Sequence, residues 1–213
     1  SLYPFGLGIW GPNGHDAIFH LSLIEKFAQT PLNLDHPQIS GEKLANYHFV
    51  FDYLSGNIAK LLNLSANSFY FLIYPLTVSV ILVLLLNSLF KKWQMSTSSS
   101  LLAYVFVFLA GSLGYIPALL NHANPLYSES VFWANQSSSL LLNPPFAVSL
   151  IFLLAILLLI EKYPDPDLKQ IILIGLVGGI LAQTKVYAFI LLCLALLLNK
   201  KYKLLLAVGL IGT

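Results

Sequence analysis

Arginine is missing from this chain altogether, and only 9% of its 213 residues are charged. A water-soluble domain devotes about a quarter of its residues to charge, so too few remain here to cover a surface facing water. All eleven basic residues are Lys and the formal net charge is +2. No basic stripe with interleaved aromatics occurs, which excludes nucleic acid as a partner. Cysteine is nearly absent too: Cys193 stands alone in an apolar run. An intramolecular disulfide and a thiolate metal cluster are both excluded, and Cys193 reads as a small buried apolar residue. No charged n-region with a cleavage site opens the chain. It starts at Ser1 without Met and stops at Thr213 inside a fresh apolar run, so the expectation is a fragment of a longer polytopic protein.

What the chain has instead is apolar residues in long blocks. They make up 57% of it, and the mean hydropathy is +0.78, which places it in the membrane class. A helix needs about 20 apolar residues to cross the hydrocarbon, and runs 69–90 and 101–120 meet that length. Run 144–160 is shorter and opens with Pro144 and Pro145, which suit a helix start. Run 171–198 is broken by Gln183, Thr184 and Lys185, and a further span begins at Leu204. The expected fold is all-α: a multi-spanning integral membrane helical bundle over 69–213, preceded by an outer segment, 1–68.

Lysine placement orients these spans. Lys91 and Lys92 follow the first, Lys162 and Lys169 the third, and Lys200, Lys201 and Lys203 the broken run, while 121–143 holds no Lys. The positive-inside rule puts the lysine-bearing loops in the cytoplasm and 121–143 outside. Residues 1–68 then lie outside as well, since a segment that long translocates regardless of charge. Both ends of 171–198 thus face the cytoplasm. At about 1.5 Å per residue each arm reaches about 20 Å, against a core of roughly 30 Å. A short helical hairpin follows, its tip at Gln183, Thr184 and Lys185 sunk below the outer surface. Irregular backbone at that depth persists only beside a cavity or within protein. Gly175 and Gly179 form a GxxxG that lets the arms pack closely. The alternative is one long tilted helix with Lys185 near its centre, costing about 2.5–3.5 kcal/mol.

Residues 1–68 hold four of the five His and five of the nine acidic residues. Ala17, Ile18, Leu21, Ile24 and Ala28 recur at helical spacing with His20, Glu25 and Lys26 off that face, which predicts an amphipathic helix on or against the membrane. The turn Gly11-Pro12-Asn13-Gly14 before it leaves Asp16 in the first turn, where negative charge is favoured. A second helix is predicted over 44–62, with Tyr47, Phe51, Leu54, Ile58 and Leu61 along one side. Pro31, Asp35-His36-Pro37 and Ser40-Gly41 mark an irregular connection between the two.

At i, i+4 spacing Asp16 pairs with His20, and His48 with Asp52, each putting a carboxylate and an imidazole on one helix face. These groups suit acid–base work or a divalent metal such as Zn or Mn. No spacing here is diagnostic of a metal, and helix-terminal charge or surface polarity explains the same residues. Asp165-Pro166-Asp167 matches the DxD of soluble nucleotide-sugar transferases, but a short turn between spans has no room for a nucleotide-binding domain. Asn63-Leu64-Ser65 and Asn135-Gln136-Ser137 match glycosylation sequons, and Tyr127, Phe132 and Trp133 read as interfacial anchors.

Four stretches carry a resemblance. They are Gly14-His15-Asp16-Ala17-Ile18-Phe19-His20-Leu21, Asn46-Tyr47-His48-Phe49-Val50-Phe51-Asp52, Asn143-Pro144-Pro145-Phe146-Ala147, and Gly178-Gly179-Ile180-Leu181-Ala182-Gln183-Thr184-Lys185. Together the chain resembles the GT-C superfamily of polytopic membrane glycosyltransferases, in the bacterial branch of aminoarabinose transferases and protein mannosyltransferases. The resemblance implies transfer of a sugar from a polyprenyl-phosphate donor to a lipid, glycan or protein acceptor at the outer face of a bacterial or archaeal-type plasma membrane. It implies Asp16 as the catalytic carboxylate, at the family's acidic position, and Lys185 as the contact to the donor phosphate. His15, His20, His48, Asp52 and Gln183 are implied as acceptor or supporting residues. The family's double-acidic pair stands here as His15-Asp16, which leaves one carboxylate and argues against the metal-dependent variants, so no cofactor is expected. Two rival readings stay open: a transporter or flippase, since broken helices with a midplane charge also mark transporters, and a catalytically silent relative serving in assembly.

Overall fold

The computed structural model describes residues 2–3, 6–7, 16–44, 47–109, 115–122, 139–140 and 142–212. Apart from a two-residue antiparallel pair, β1 (Leu2–Tyr3) with β2 (Gly6–Leu7), it is helical. Nine helices are described: α1 (Asp16–Gln29), α2 (Val50–Leu61), α3 (Ala66–Lys92), α4 (Thr97–Leu109), α5 (Tyr115–Leu120), α6 (Pro144–Lys162), α7 (Leu168–Thr184), α8 (Val186–Leu198) and α9 (Tyr202–Gly212). Two of them, α3 and α6, are long and apolar enough to cross a membrane; α4, α7, α8 and α9 are apolar but shorter.

Local chemistry sets the helix ends. At α6 the Asn143 side chain accepts from Phe146 N at 3.2 Å ahead of Pro144 and Pro145, so a polar cap and two residues lacking N–H groups serve a turn whose donors have no helical partner. At α7, Asp167 and Gln170 form a reciprocal capping box, with bonds of 2.9 and 3.0 Å. Helices α2, α3 and α8 stop alike, on a left-handed residue: Asn63, Gln94 and Lys200. In α8 the closing bonds are Lys201 N to Leu196 O at 2.9 Å and Lys200 N to Leu197 O at 3.0 Å, the pairing of a Schellman turn.

Two apolar cores share α6. One gathers Ile24 of α1, Phe51 of α2 and Tyr74 and Leu82 of α3 around Ala147; the other sets Ile156 against Ile174, Leu192 and Val208 of α7, α8 and α9. The run 171–198 is interrupted at Lys185, whose extended backbone (φ −159°, ψ 108°) separates α7 from α8. The glycines there play a part other than the one expected. A Cβ on Gly175 would meet Ala207 O at 3.1 Å, and one on Gly179 would meet Ile211 O at 3.0 Å. They admit α9, not the arm α8. Because Gly175 meets Ala207 and Gly179 meets Ile211, α7 and α9 run parallel, and α8 is the return leg between them.

Helices α1 and α2 also differ from their predicted form. Helix α2 begins at Val50 rather than at 44, because Leu44 N is bonded to Leu34 O and His36 N to Glu42 O, both at 2.7 Å. That pairing holds the chain in a loop up to Leu44. Its buried face is Phe51, Asp52, Ser55, Gly56 and Ala59, while Leu54, Ile58 and Leu61 are exposed. On α1 the buried face is Ala17, His20, Leu23, Ile24 and Phe27, and Ile18 is exposed. His20 therefore points inward, not along the polar side. Gly56 lets the two helices meet: a Cβ there would lie 2.6 Å from Ile24 O and 2.9 Å from Ala28 N.

Candidate functional site

Where α1 and α2 cross, His20 Nδ1 and Asp52 Oδ1 lie 2.7 Å apart. His20 is 6% exposed and Asp52 not at all. The residues paired by i, i+4 spacing are thus re-paired across helices: His20 takes Asp52 in place of Asp16. His48 lies before α2, so it shares no helix face with Asp52. Burial drives the Asp52 carboxyl above its ordinary range, and the bond from His20 pulls it part of the way back. Its Oδ2 is buried without a hydrogen-bond partner.

Aromatic rings wall this pair. Phe51 meets the His20 ring edge-on at 5.5 Å, and Tyr70 of α3 stacks on it at 6.2 Å. Tyr70 is placed there by a turn of π-helix, Phe69–Ile73, within α3. Such a turn carries one more residue than an α turn and occurs frequently at functional sites. Tyr74 then donates its hydroxyl to Leu140 O and Pro144 O, each at 3.2 Å, which ties α3 to the start of α6.

Asp16 is the first residue of α1 and is exposed. Its carboxylate is within electrostatic reach of Lys185, Tyr47 and Tyr70. Lys185 sits half-buried at the junction of α7 and α8, its Nζ 3.4 Å from Asn143 Oδ1 and 5.3 Å from the centre of the Tyr187 ring. Thr184 beside it is fully buried and returns its hydroxyl to Ile180 O at 2.7 Å, so it finishes the helix while Lys185 carries the charge. His48 is half-buried and stacked on Tyr47 at 4.9 Å. Burial and the Lys185 charge hold its pKa below the ordinary imidazole value, and burial beside Asp52 and Asp16 pushes the Tyr47 phenol up.

Asp16, His20, His48, Asp52 and Lys185 thus converge from three separate parts of the chain. Gln183 does not join them; it is exposed and forms no hydrogen bond among the described residues. His15 lies outside the described residues, as do Asn46 and the aromatic residues Tyr127, Phe132 and Trp133. Sequence reasoning missed Tyr70, which is hidden in an apolar run, and the contact of Asn143 with Lys185, although Pro144 and Pro145 were legible as the start of α6. Among the described residues no group of three His, Cys, Asp or Glu side chains is arranged to hold a metal ion. The chemistry on offer is an exposed carboxylate within electrostatic reach of a half-buried ammonium, together with a buried carboxylate–imidazole pair. Comparison with protein-family models, curated proteins and solved structures finds no match for this chain.

Proposed function

We propose that this is a multi-spanning membrane glycosyltransferase of the GT-C kind, which moves a sugar from a polyprenyl-phosphate donor to a hydroxyl acceptor outside the membrane. The membrane part of the reading is supported by the outward faces of the long helices. Only 33% of the apolar window of α3 and 28% of that of α6 are buried, whereas the core helix of a soluble protein is covered nearly all round. Leu72, Leu76, Phe106, Leu191 and Leu206 are each more than half exposed, an apolar exterior suited to lipid. Lysine distribution supports an outer location for 1–68 and 121–143.

The observation that carries the catalytic part is the half-buried Lys185, its Nζ 3.4 Å from Asn143 Oδ1 and within electrostatic reach of the exposed Asp16. Asp16 takes the proton of the acceptor hydroxyl as its oxygen attacks the anomeric carbon. The bond from that carbon to the phosphate oxygen breaks, and the electron pair leaves on the polyprenyl phosphate. Lys185 balances the growing phosphate charge, and a cation in a water-poor setting does so far better than one in bulk water. His20 and Asp52 support the floor of the site, and His48 lies beside Lys185.

Asp16→Asn in the full chain, assayed with radiolabelled lipid-linked sugar in proteoliposomes, is expected to abolish transfer with expression unchanged. Lys185→Ala is expected to lower turnover by about 100-fold or more, the scale of losing one preorganised charge contact. Retained transfer in Asp16→Asn would end the base assignment. Substrate counterflow without sugar transfer would assign the site to transport instead.

A further inference from the structure

A second site lies at the opposite end of the long helices. A cavity of about 410 Å³ opens between the turn after α6 and the turn before α9, lined by Pro164, Asp165, Lys200, Lys201, Tyr202 and Lys203. Three lysines and one aspartate line it. The other nearby acid, Asp167, is committed to capping α7. Among the described residues the ion pairs are His20–Asp52 and Lys43–Asp35, so Lys200 and Lys203 have no carboxylate partner.

The walls are fixed without a ligand. Lys201 Nζ donates to Pro164 O at 3.1 Å, which ties one turn to the other. Lys200 is the left-handed residue closing α8, held by its own N–H bond to Leu197 O, so its backbone is set before anything binds. From the cavity, Tyr202, Leu206 and Leu210 run up α9 at i, i+4, i+8 and are 54%, 65% and 80% exposed. Residues at that spacing form one stripe. A cationic cavity therefore leads directly onto an apolar track.

We propose that this cavity holds the phosphodiester headgroup of an anionic phospholipid, whose acyl chains lie along the Tyr202, Leu206 and Leu210 stripe. A soluble phosphate ester shares the headgroup chemistry, but it has no use for the stripe. The inference rests on the membrane-embedded reading of the chain and is independent of the glycosyl-transfer chemistry. Basic pockets between membrane helices attract anionic headgroups, and each lysine near the surface strengthens such binding about fivefold.

The test reconstitutes the full chain into phosphatidylcholine vesicles and measures, by electron paramagnetic resonance, how much spin-labelled phosphatidylglycerol or phosphatidylcholine is immobilised at the protein. Phosphatidylglycerol is expected to be preferred, with the preference falling about fivefold in Lys200→Gln or Lys203→Gln and vanishing in the double variant. The control is Lys91→Gln with Lys92→Gln. Those exposed lysines lie at the same end of the molecule, where Trp93 Nε1 donates to Glu161 Oε1 at 3.4 Å, yet they do not line the cavity. An unchanged preference in that control supports a site. An equal fall in both double variants would mean diffuse surface charge and overturn the proposal, as would no preference in the parent chain. Displacement of the labelled lipid by water-soluble glycerol phosphate would overturn the lipid assignment. A chain that washes out of the vesicles under alkali would instead defeat the membrane reading, before any lipid is compared.

Discussion

His20 and Asp52 are 32 positions apart in the chain and 2.7 Å apart in space, with the carboxylate wholly buried. Two ionisable groups share one apolar junction, and neither has another partner of opposite sign among the described residues. Removing one leaves the other in a setting that penalises it.

His20→Leu tests this directly. It takes away the bond that offsets the burial of Asp52, at an expected cost of about 3–5 kcal/mol near neutral pH. Burial already holds the folded Asp52 carboxyl above its ordinary value of 3.8. Its favourable contribution is therefore complete below 3.8 and is lost as pH rises through the raised folded value. Thermal unfolding in detergent should show His20→Leu regaining stability on acidification to a greater degree than the parent. Equal pH slopes for the two would mean that the pair carries no such coupling.

Gly56→Ala is expected to force α1 and α2 apart, because the added Cβ would lie 2.6 Å from Ile24 O, a backbone atom that cannot step aside. Overpacking of this kind costs about 1–3 kcal/mol. Gly209→Ala makes the comparison, since a Cβ there has no atom within 4 Å; it should be neutral or stabilising by about 0.5–1 kcal/mol, the helical preference of Ala over Gly. Denaturation midpoints that move equally for both would contradict the close approach at Gly56.

His48 should titrate below 6.5, and Lys185→Gln should move its midpoint upward, because the Lys185 charge is one cause of the depression. A depressed imidazole contributes stability that is present above 6.5 and lost as pH falls through the folded value. Nuclear magnetic resonance of the His48 ring protons across pH 4–8 reads the midpoint in both proteins. No change on Lys185→Gln would separate His48 from the lysine and weaken the case for one shared site.

The apolar helices were legible in the sequence because length and composition dictate them: α3 and α6 lie within a few residues of runs 69–90 and 144–160. The break at Lys185 was legible for the same reason, since three polar residues interrupt an otherwise apolar run. Partners were harder. A GxxxG at Gly175 and Gly179 announces that something comes close, yet nothing local says whether it is α8 or α9. The start of α2 was misplaced because the Leu34–Leu44 pairing is a tertiary event. The i, i+4 rule finds neighbours on one helix only, so it paired Asp16 with His20 and His48 with Asp52, and missed the pairing of His20 with Asp52. The buried faces of α1 and α2 turned for a related reason: the small residues Ser55, Gly56 and Ala59 permit close approach, and they outweighed the larger apolar residues in deciding what faces inward.

The π turn at Phe69–Ile73 bears on how this chain can change length over evolution. It serves two sides at once, setting Tyr70 against His20 on one and leaving Tyr74 to reach Leu140 and Pro144 on the other. Losing a single codon there would let the helix relax to the ordinary period, rotating everything after it by about 100°, and the two tyrosines could no longer keep both appointments. The linker between α3 and α4 is mostly exposed, and its ties are the turn closed at Gln94 and the indole bond from Trp93 to Glu161, so it can gain or lose a residue at lower cost. Insertions and deletions among homologues should therefore avoid 69–73 and collect around 93–96.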